Sequence, residues 1–388
     1  LKEESEEGSK LKHIHHAEDR PLFHGAKGFE HAKGALTQAH EHMKSGGKST
    51  HLTMKYDGSP SIVFGHHPET GKFFVASKSA FNVNPKINYS DKDIEKNHGH
   101  APGLVEKLKQ ALHHLPKVAP KKGVYQGDVM FGEHDKKEHN GGVSFTPNTI
   151  TYTAKGGEAE KVKKAKFGVV VHHQYHEDPE KPGFEHMVAD SHPNVHQFKS
   201  HQDVWHKSAE HDTSKVNYTD KEQKQFTKHI EAAKQIHSEH GKSMYNTTHP
   251  HQGAGSHLET YINHTVRTDE KPDALGLAKH IQSKYNKEAS KLKTPAAQAR
   301  KESEAKKHVE YIKSNKQQYN NLLKMHHHLQ QAKDVLVKNL EKNTGGLEHH
   351  IDNKPTGPEG FVVHHAGEPT KLVNRKEFAK ANLLKVRK

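Results

Sequence analysis

Alternation of apolar and polar positions is clearest in "THLTMKYDGSPSIVFGHHPETGKFFVASKSAF", residues 50–81, which reads as two strands joined by a turn at "HPETGK". Before it, "GAKGFEHAKGALTQAHEHMKSGG" (25–47) has helical spacing and a Gly46-Gly47 stop. "GLVEKLKQALHHL" (103–115) places Leu104, Leu108, Ala111 and Leu112 on one helical face. "GVYQGDVMF" (123–131), "NTITYT" (148–153) and "KFGVVVHHQY" (166–175) read as three more strands. The pattern changes near residue 195. From about 200 to 345 the chain is Lys, Gln, His, Glu and Ala with few β-branched runs. Residues 302–343 read as one long helix, with Val309, Ile312, Tyr319, Leu322, Leu329, Leu336 and Leu340 near one stripe and "NTGG" as its stop. Strand character returns in "PEGFVVHH" (358–365) and "TKLVNRKEF" (370–378), which are expected to complete the sheet begun before 195, because an isolated strand pair is not stable.

Composition narrows the classes. Only 30% of the 388 residues are hydrophobic, and mean hydropathy is −1.04, so much of the chain is solvated helix or loop. No run approaches the ~20 apolar residues of a membrane span, and no membrane partner is expected. The first thirty residues hold no apolar stretch, so no secretory signal is expected, and residues 1–12 read as a charged, frayed start. The chain opens on Leu1 rather than Met, which reads as processing or trimming. With no cysteine, disulfides, zinc–thiolate sites and a cysteine nucleophile are excluded. A net charge of +13 favours polyanionic partners, of which nucleic acid is the commonest. The 41 histidines give many pairs at metal-like spacing by abundance alone, so spacing picks out no zinc site.

In "LTMKYDGSPSIVFG" (52–65), Lys55, Asp57 and Gly58 stand where a strand wants apolar residues. A lysine amine becomes a nucleophile when burial or nearby cations lower its pKa. Alone, the K-x-D-G reads as an exposed strand lysine before a turn that Asp57 fixes. The ordered set downstream adds weight. "MKYDGSPSIVFG" resembles motif I of the covalent nucleotidyltransferases: ATP-dependent DNA and RNA ligases and mRNA capping enzymes. "VYQGDVMF" resembles motif III, "KFGVVVHHQY" stands at the apolar strand IIIa, "PEGFVVHH" resembles motif IV, and "TKLVNRKEF" resembles motif V. The likeness covers roughly 50–175 and 355–380. The "DGSP…FG" core and "HAED" at 16–19 also resemble phage-encoded proteins of this superfamily.

The resemblance implies an α+β fold: a nucleotidyltransferase core of antiparallel sheets with flanking helices and a large helical insertion. The parts would be 1–195 (motifs I, III and IIIa), 196–350 (the insertion) and 351–388 (strands carrying motifs IV and V). It implies that Lys55 attacks the α-phosphate of ATP to give lysyl–AMP and pyrophosphate. Asp57, Gly58, Lys78, Asp128, Tyr175 and Lys371 would bind the nucleotide, Tyr175 as the stacking aromatic, with a plain packing role as its equal alternative. Glu359 and Asp128 would hold Mg²⁺. The implied function is ligation of RNA or DNA in the cytoplasm, that of the host for a phage-encoded member. There are departures from the pattern. Ser59-Pro60-Ser61 follow motif I where Arg is common, and Asp128 replaces Glu. Val373 replaces a second motif V lysine, with Arg375 and Lys376 as substitutes. No length for a terminal OB fold follows motif V, so the basic helical region is the element expected to clamp nucleic acid. A second enzymatic reading stops at transfer of AMP or GMP to another acceptor. A third is a degenerate core kept as a structural or nucleic-acid-binding protein, partnered by other phage proteins in a virion.

Overall fold

The structure is a computed structural model and describes residues 14–82, 84–190, 195–248 and 254–375. In chain order, α1 (Arg20–Ser45) is followed by β1 (Lys48–Lys55), β2 (Ser61–His66), β3 (Phe73–Ala76), α2 (Asp91–His98) and α3 (Pro102–His114). Next come β4 (Gly123–Phe131), β5 (Lys136–His139), β6 (Gly142–Phe145), β7 (Thr151–Ala154), α4 (Gly156–Lys164) and β8 (Phe167–His176). β9 (Val188–Asp190), β10 (Val204–Ser208) and β11 (Glu210–Asp212) lead into five helices: α5 (Asp220–Thr248), α6 (Ala254–Thr268), α7 (Ala274–Ala289), α8 (Pro295–Ser314) and α9 (Lys316–Leu340). β12 (Leu347–Ile351), β13 (Lys354–Pro355), β14 (Gly360–His365) and β15 (Glu368–Leu372) close the described chain. The fold is α+β with mainly antiparallel sheets. No helix among the described residues is long and apolar enough to cross a membrane.

The chain divides into two compact units. The first is built from Gly46–Val216 and Glu341–His364. In it β1 lies between β11 and β14. A second sheet runs β10-β8-β4-β2-β3, and a third β13-β12-β7-β6-β5. The second sheet is apolar on both faces. Ile62, Phe64, Tyr125, Val129, Val169 and Val171 pack on one side with Leu108, Ala111 and Leu115. Val63, Phe74, Val124 and Tyr175 pack on the other with Phe184 and Met187.

The second unit takes His15–Ser45, Asn217–Leu340 and the chain from His365 onward. α1 buries Phe29, Ala32, Ala35, Leu36, Ala39 and Met43, a stripe at helical spacing. Gly25, at φ +56°, breaks its first turns from the rest, which is where the sequence places the helix start. The unit holds a buried ionic cluster on the "HAED" segment. Lys333 Nζ donates to Glu18 Oε1 at 2.5 Å, and both side chains are fully buried. Arg375 donates to both oxygens of Asp19, and His326 Nε2 lies 2.8 Å from Asp19 Oδ1. Burial alone would raise the Glu18 pKa, but Lys333 and then Arg375 bring it down to about 2. His16 beside them is driven down to about 3, first by burial and then by Arg375, so it stays neutral.

The expected boundaries at 195 and 350 are displaced. β10 runs parallel beside β8, from Val204↔Phe167 to Ser208↔Val171, so strand structure of the first unit extends past 195. α1 and residues 365–375 group with the helices of the second unit. The long helix is two helices. Asn315 leaves the helical conformation at φ −112°, ψ 29°, and its amide Nδ2 donates to Tyr311 O at 2.9 Å. A side chain competing for backbone carbonyls is what ends helices at Asn. The two strands expected over 50–81 are three, because the DGSP loop carries the chain from one sheet to another. The segment 1–12, Lys376 and the rest of "TKLVNRKEF" beyond Arg375 lie outside the described residues.

Candidate active site

β1 and β14 pair antiparallel with Leu52↔Val363, Met54↔Phe361 and Lys55↔Gly360 in register. Leu52, Met54, Phe361 and Val363 are buried, which anchors the two strands. This register sets Lys55, the last residue of β1, opposite the residue that follows Glu359. The two side chains form an ion pair, about one third exposed at Lys55 and one fifth at Glu359. The other carboxylate oxygen, Glu359 Oε2, is buried with no hydrogen-bond partner among the described residues. Burial raises the Glu359 pKa. Lys55 works against that rise, and the charges of Asp57 and Asp128 add to it.

After Lys55 the chain crosses between sheets, and Asp57 holds the crossing. Its carboxylate accepts from Asn148 Nδ2 at 2.8 Å, Thr149 N at 2.6 Å and Ile150 N at 2.8 Å. Its own N–H donates to Tyr152 Oη at 2.6 Å. Asp57 is therefore a buried loop anchor. Ser59 N donates to Val129 O and Val129 N to Pro60 O, which lays the loop along β4. A Cβ on Gly58 would stand 2.5 Å from Asp128 Cβ and 3.1 Å from Val129 O. Gly58 is required here by close packing against Asp128.

Asp128 Oδ1 lies 3.3 Å from His172 Nε2. His172 sits in a bulge of β8, where Gln126↔His173 is followed by Gly127↔Val171. Such an extra residue re-aims a side chain. His172 and His173 meet through their Nδ1 atoms, and the His173 ring is 5.7 Å from that of His364. Burial, then His172 and His364, hold the His173 pKa well below its ordinary value. The sequence marks these histidines only as part of a general abundance, and the bulge that aims His172 leaves no sequence signal.

The structure thus brings together Lys55, Asp57, Gly58, Asp128 and Glu359. Tyr175 is buried in the core, its ring 4.6 Å from Phe81 and its hydroxyl donating to Gln126 Oε1 at 2.7 Å. These contacts are those of a packing residue. Lys78 is exposed on a single 3₁₀ turn, Lys78–Phe81. Lys371 lies on β15 in the second unit, where its N–H donates to His15 O at 2.9 Å. Among the described residues no three His, Asp or Glu side chains converge as a ready metal site.

A family described as of unknown function, DUF6267, matches residues 11–387. The chain belongs to that family. No curated protein and no solved structure matches it. The DUF6267 match spans both units and every residue of the Lys55 cluster.

Within this DUF6267 chain the Asp57 anchor gives a direct prediction. Asp57→Ala removes the acceptor of one buried and one part-buried backbone N–H group and is expected to cost about 3 kcal/mol. Asp57→Asn keeps an acceptor and is expected to cost about half as much. Urea unfolding at neutral pH, followed by far-UV circular dichroism, measures both. Equal stability of Asp57→Ala and parent would remove the anchor role.

Proposed function

We propose that the protein is a covalent nucleotidyltransferase that takes AMP from ATP onto Lys55 and passes it to a polynucleotide end, the chemistry of ATP-dependent ligases. The observation that supports this most is the Lys55–Glu359 pair on adjacent strands, with Glu359 Oε2 buried and open for a further partner. Nζ must shed a proton before it can attack, and Glu359 is the carboxylate paired with it. Burial makes Glu359 a better proton acceptor than an ordinary glutamate. An N–P bond then forms to the α-phosphorus. The bond to the bridging oxygen breaks, and its electron pair and the second proton leave with pyrophosphate. Asp57 keeps Lys55 aligned through the loop it anchors.

Mg²⁺ needs only one or two protein carboxylates, with water and phosphate oxygens filling its shell. Asp128 and Glu359 Oε2 fit that requirement, and the ion would supply neutralisation of phosphate charge.

The test is incubation of the chain with α-labelled ATP, and separately GTP, with Mg²⁺, followed by a denaturing gel. Label that stays on the protein and is released by pyrophosphate is expected with ATP. No label with either nucleotide, on a folded sample whose mass shows no prior AMP, overturns the proposal. Glu359→Gln is expected to slow labelling by roughly 100-fold or more.

A further inference from the structure

The chain carries its charge unevenly. Between Lys271 and Lys316 there are 12 Lys and Arg against 5 Asp and Glu, net +7 of the chain's +13. This stretch is the hairpin of α7 and α8. Asp273 caps α7, its Oδ1 accepting from Gly276 N at 2.6 Å, and Thr294 caps α8. The apolar faces are used inside the unit: Leu277, Ala278, Ile281 and Tyr285 of α7 and Ala305 and Ile312 of α8 are buried. Three of the five acids are engaged with lysines. Lys301 meets Glu288 at 3.1 Å and Glu304 at 3.4 Å, and Lys306 reaches Glu310. Lys279, Lys287, Lys291, Lys293 and Arg300 are exposed and pair with no acid among the described residues.

The outer face of α7 is an open groove of about 500 Å³ lined by Lys279, Gln282, Ser283, Asn286, Lys287 and Ser290. It holds cations, amides and hydroxyls and no carboxylate. These residues recur at spacings of three and four, so they form one stripe roughly 17 Å long. The stripe runs into the tip, residues 290–296, every one of which is exposed. There Leu292 stands 38% exposed between Lys291 and Lys293.

We infer that this α7–α8 face binds the backbone of double-stranded nucleic acid. Lysines spaced along a helix neutralise successive phosphates, while Gln, Asn and Ser hydrogen-bond phosphate and sugar oxygens. Single strands are gripped by aromatic platforms, and the exposed large apolar residues of this hairpin are only Leu275 and Leu292. A membrane-surface helix would turn an apolar face outward, whereas α7 turns its apolar face inward. The inference goes beyond the Lys55 site and does not need its chemistry.

The test is fluorescence anisotropy of the full chain with a labelled 24-base-pair DNA duplex, the RNA duplex of the same sequence and one single strand, across a salt series. Binding of anionic phosphatidylserine vesicles is measured alongside. The variant Lys279→Gln/Lys287→Gln/Lys291→Gln/Lys293→Gln is expected to bind the preferred duplex roughly 30-fold more weakly near 100 mM salt. Its slope of log affinity against log salt is expected to fall by about 3. A control that removes exposed lysines of the first unit, Lys72, Lys92, Lys121 and Lys122, is expected to bind within about threefold of the parent. Preference for either the DNA or the RNA duplex supports the inference. An unchanged slope in the hairpin variant, an equal loss in the control, or tighter binding to the single strand or to vesicles overturns it.

Discussion

Lys55→Ala is expected to lower formation of the AMP adduct by more than about 10³-fold, to below detection on a gel, while leaving the chain folded. The size follows from the role. A bond-forming nitrogen has no substitute, and a loss of 10³ is about 4 kcal/mol of barrier. Fold survives because the group left behind is Glu359, whose pKa burial already raises, so it can take a proton when its cation is gone. Lys55→Arg sharpens the test. Arginine keeps the positive charge and the pairing with Glu359 but does not deprotonate, so it should hold the site together and still give no adduct. Circular dichroism and thermal midpoint near those of the parent, with no label on either variant, is the expected pair of results. Label persisting on Lys55→Ala would put the nucleophile elsewhere and end the proposed mechanism.

The second large effect lies in the helical unit. Lys333→Met is expected to destabilise that unit by about 3–5 kcal/mol, because it leaves Glu18 fully buried with its closest cation gone. Arg375 Nη1, 3.4 Å from Glu18 Oε1, offsets part of this, but it is already committed to Asp19. The double variant Glu18→Leu/Lys333→Met removes both charges and is expected to regain most of the loss. The pair also shapes the response to acid. Glu18 has its folded pKa depressed to about 2 from 4.5, so its contribution is complete above pH 4.5 and is lost as pH falls toward 2. Urea titrations of parent and Lys333→Met at pH 7 and pH 3 measure this, and the difference between them should shrink at the lower pH. A difference that stays constant would mean that Lys333 acts by packing alone.

Much of the site and less of the architecture can be read in the sequence. β4 coincides with "GVYQGDVMF", and α3 and β8 match within a residue, because each buries a regular set of side chains. The resemblance singles out Lys55, Asp57, Gly58, Asp128 and Glu359, and these converge, since β1 buries Leu52 and Met54, β14 buries Phe361 and Val363, and their pairing carries the two charged residues with it. β10 leaves little sequence signal because "VWHKS" is half polar, as an edge strand permits. The break at Asn315 is masked in the sequence because the apolar stripe continues on both sides of it, and one asparagine is its whole local signal. Tyr175 is ambiguous in the sequence for a different reason. An aromatic on a central strand serves a core as readily as a ligand, and only its partners, Phe81 and Gln126, decide which. "HAED" stood out by likeness to other proteins, whereas its physical content is the pair of buried carboxylates held by Lys333 and Arg375.

The pairing of β1 with β14 has a consequence for how the molecule comes into being. Lys55 and Glu359 are 304 residues apart in the chain. At ribosomal speeds of about 5–20 residues per second, β14 follows β1 out of the tunnel roughly 15–60 s later. Through that interval one edge of β1 is open to wrong partners, and chaperone cover has most to contribute there. On the proposed chemistry a nascent chain is also inert, because its amine has no carboxylate beside it. Loading with nucleotide is then confined to finished molecules, and fragments that end before residue 359 should never carry it.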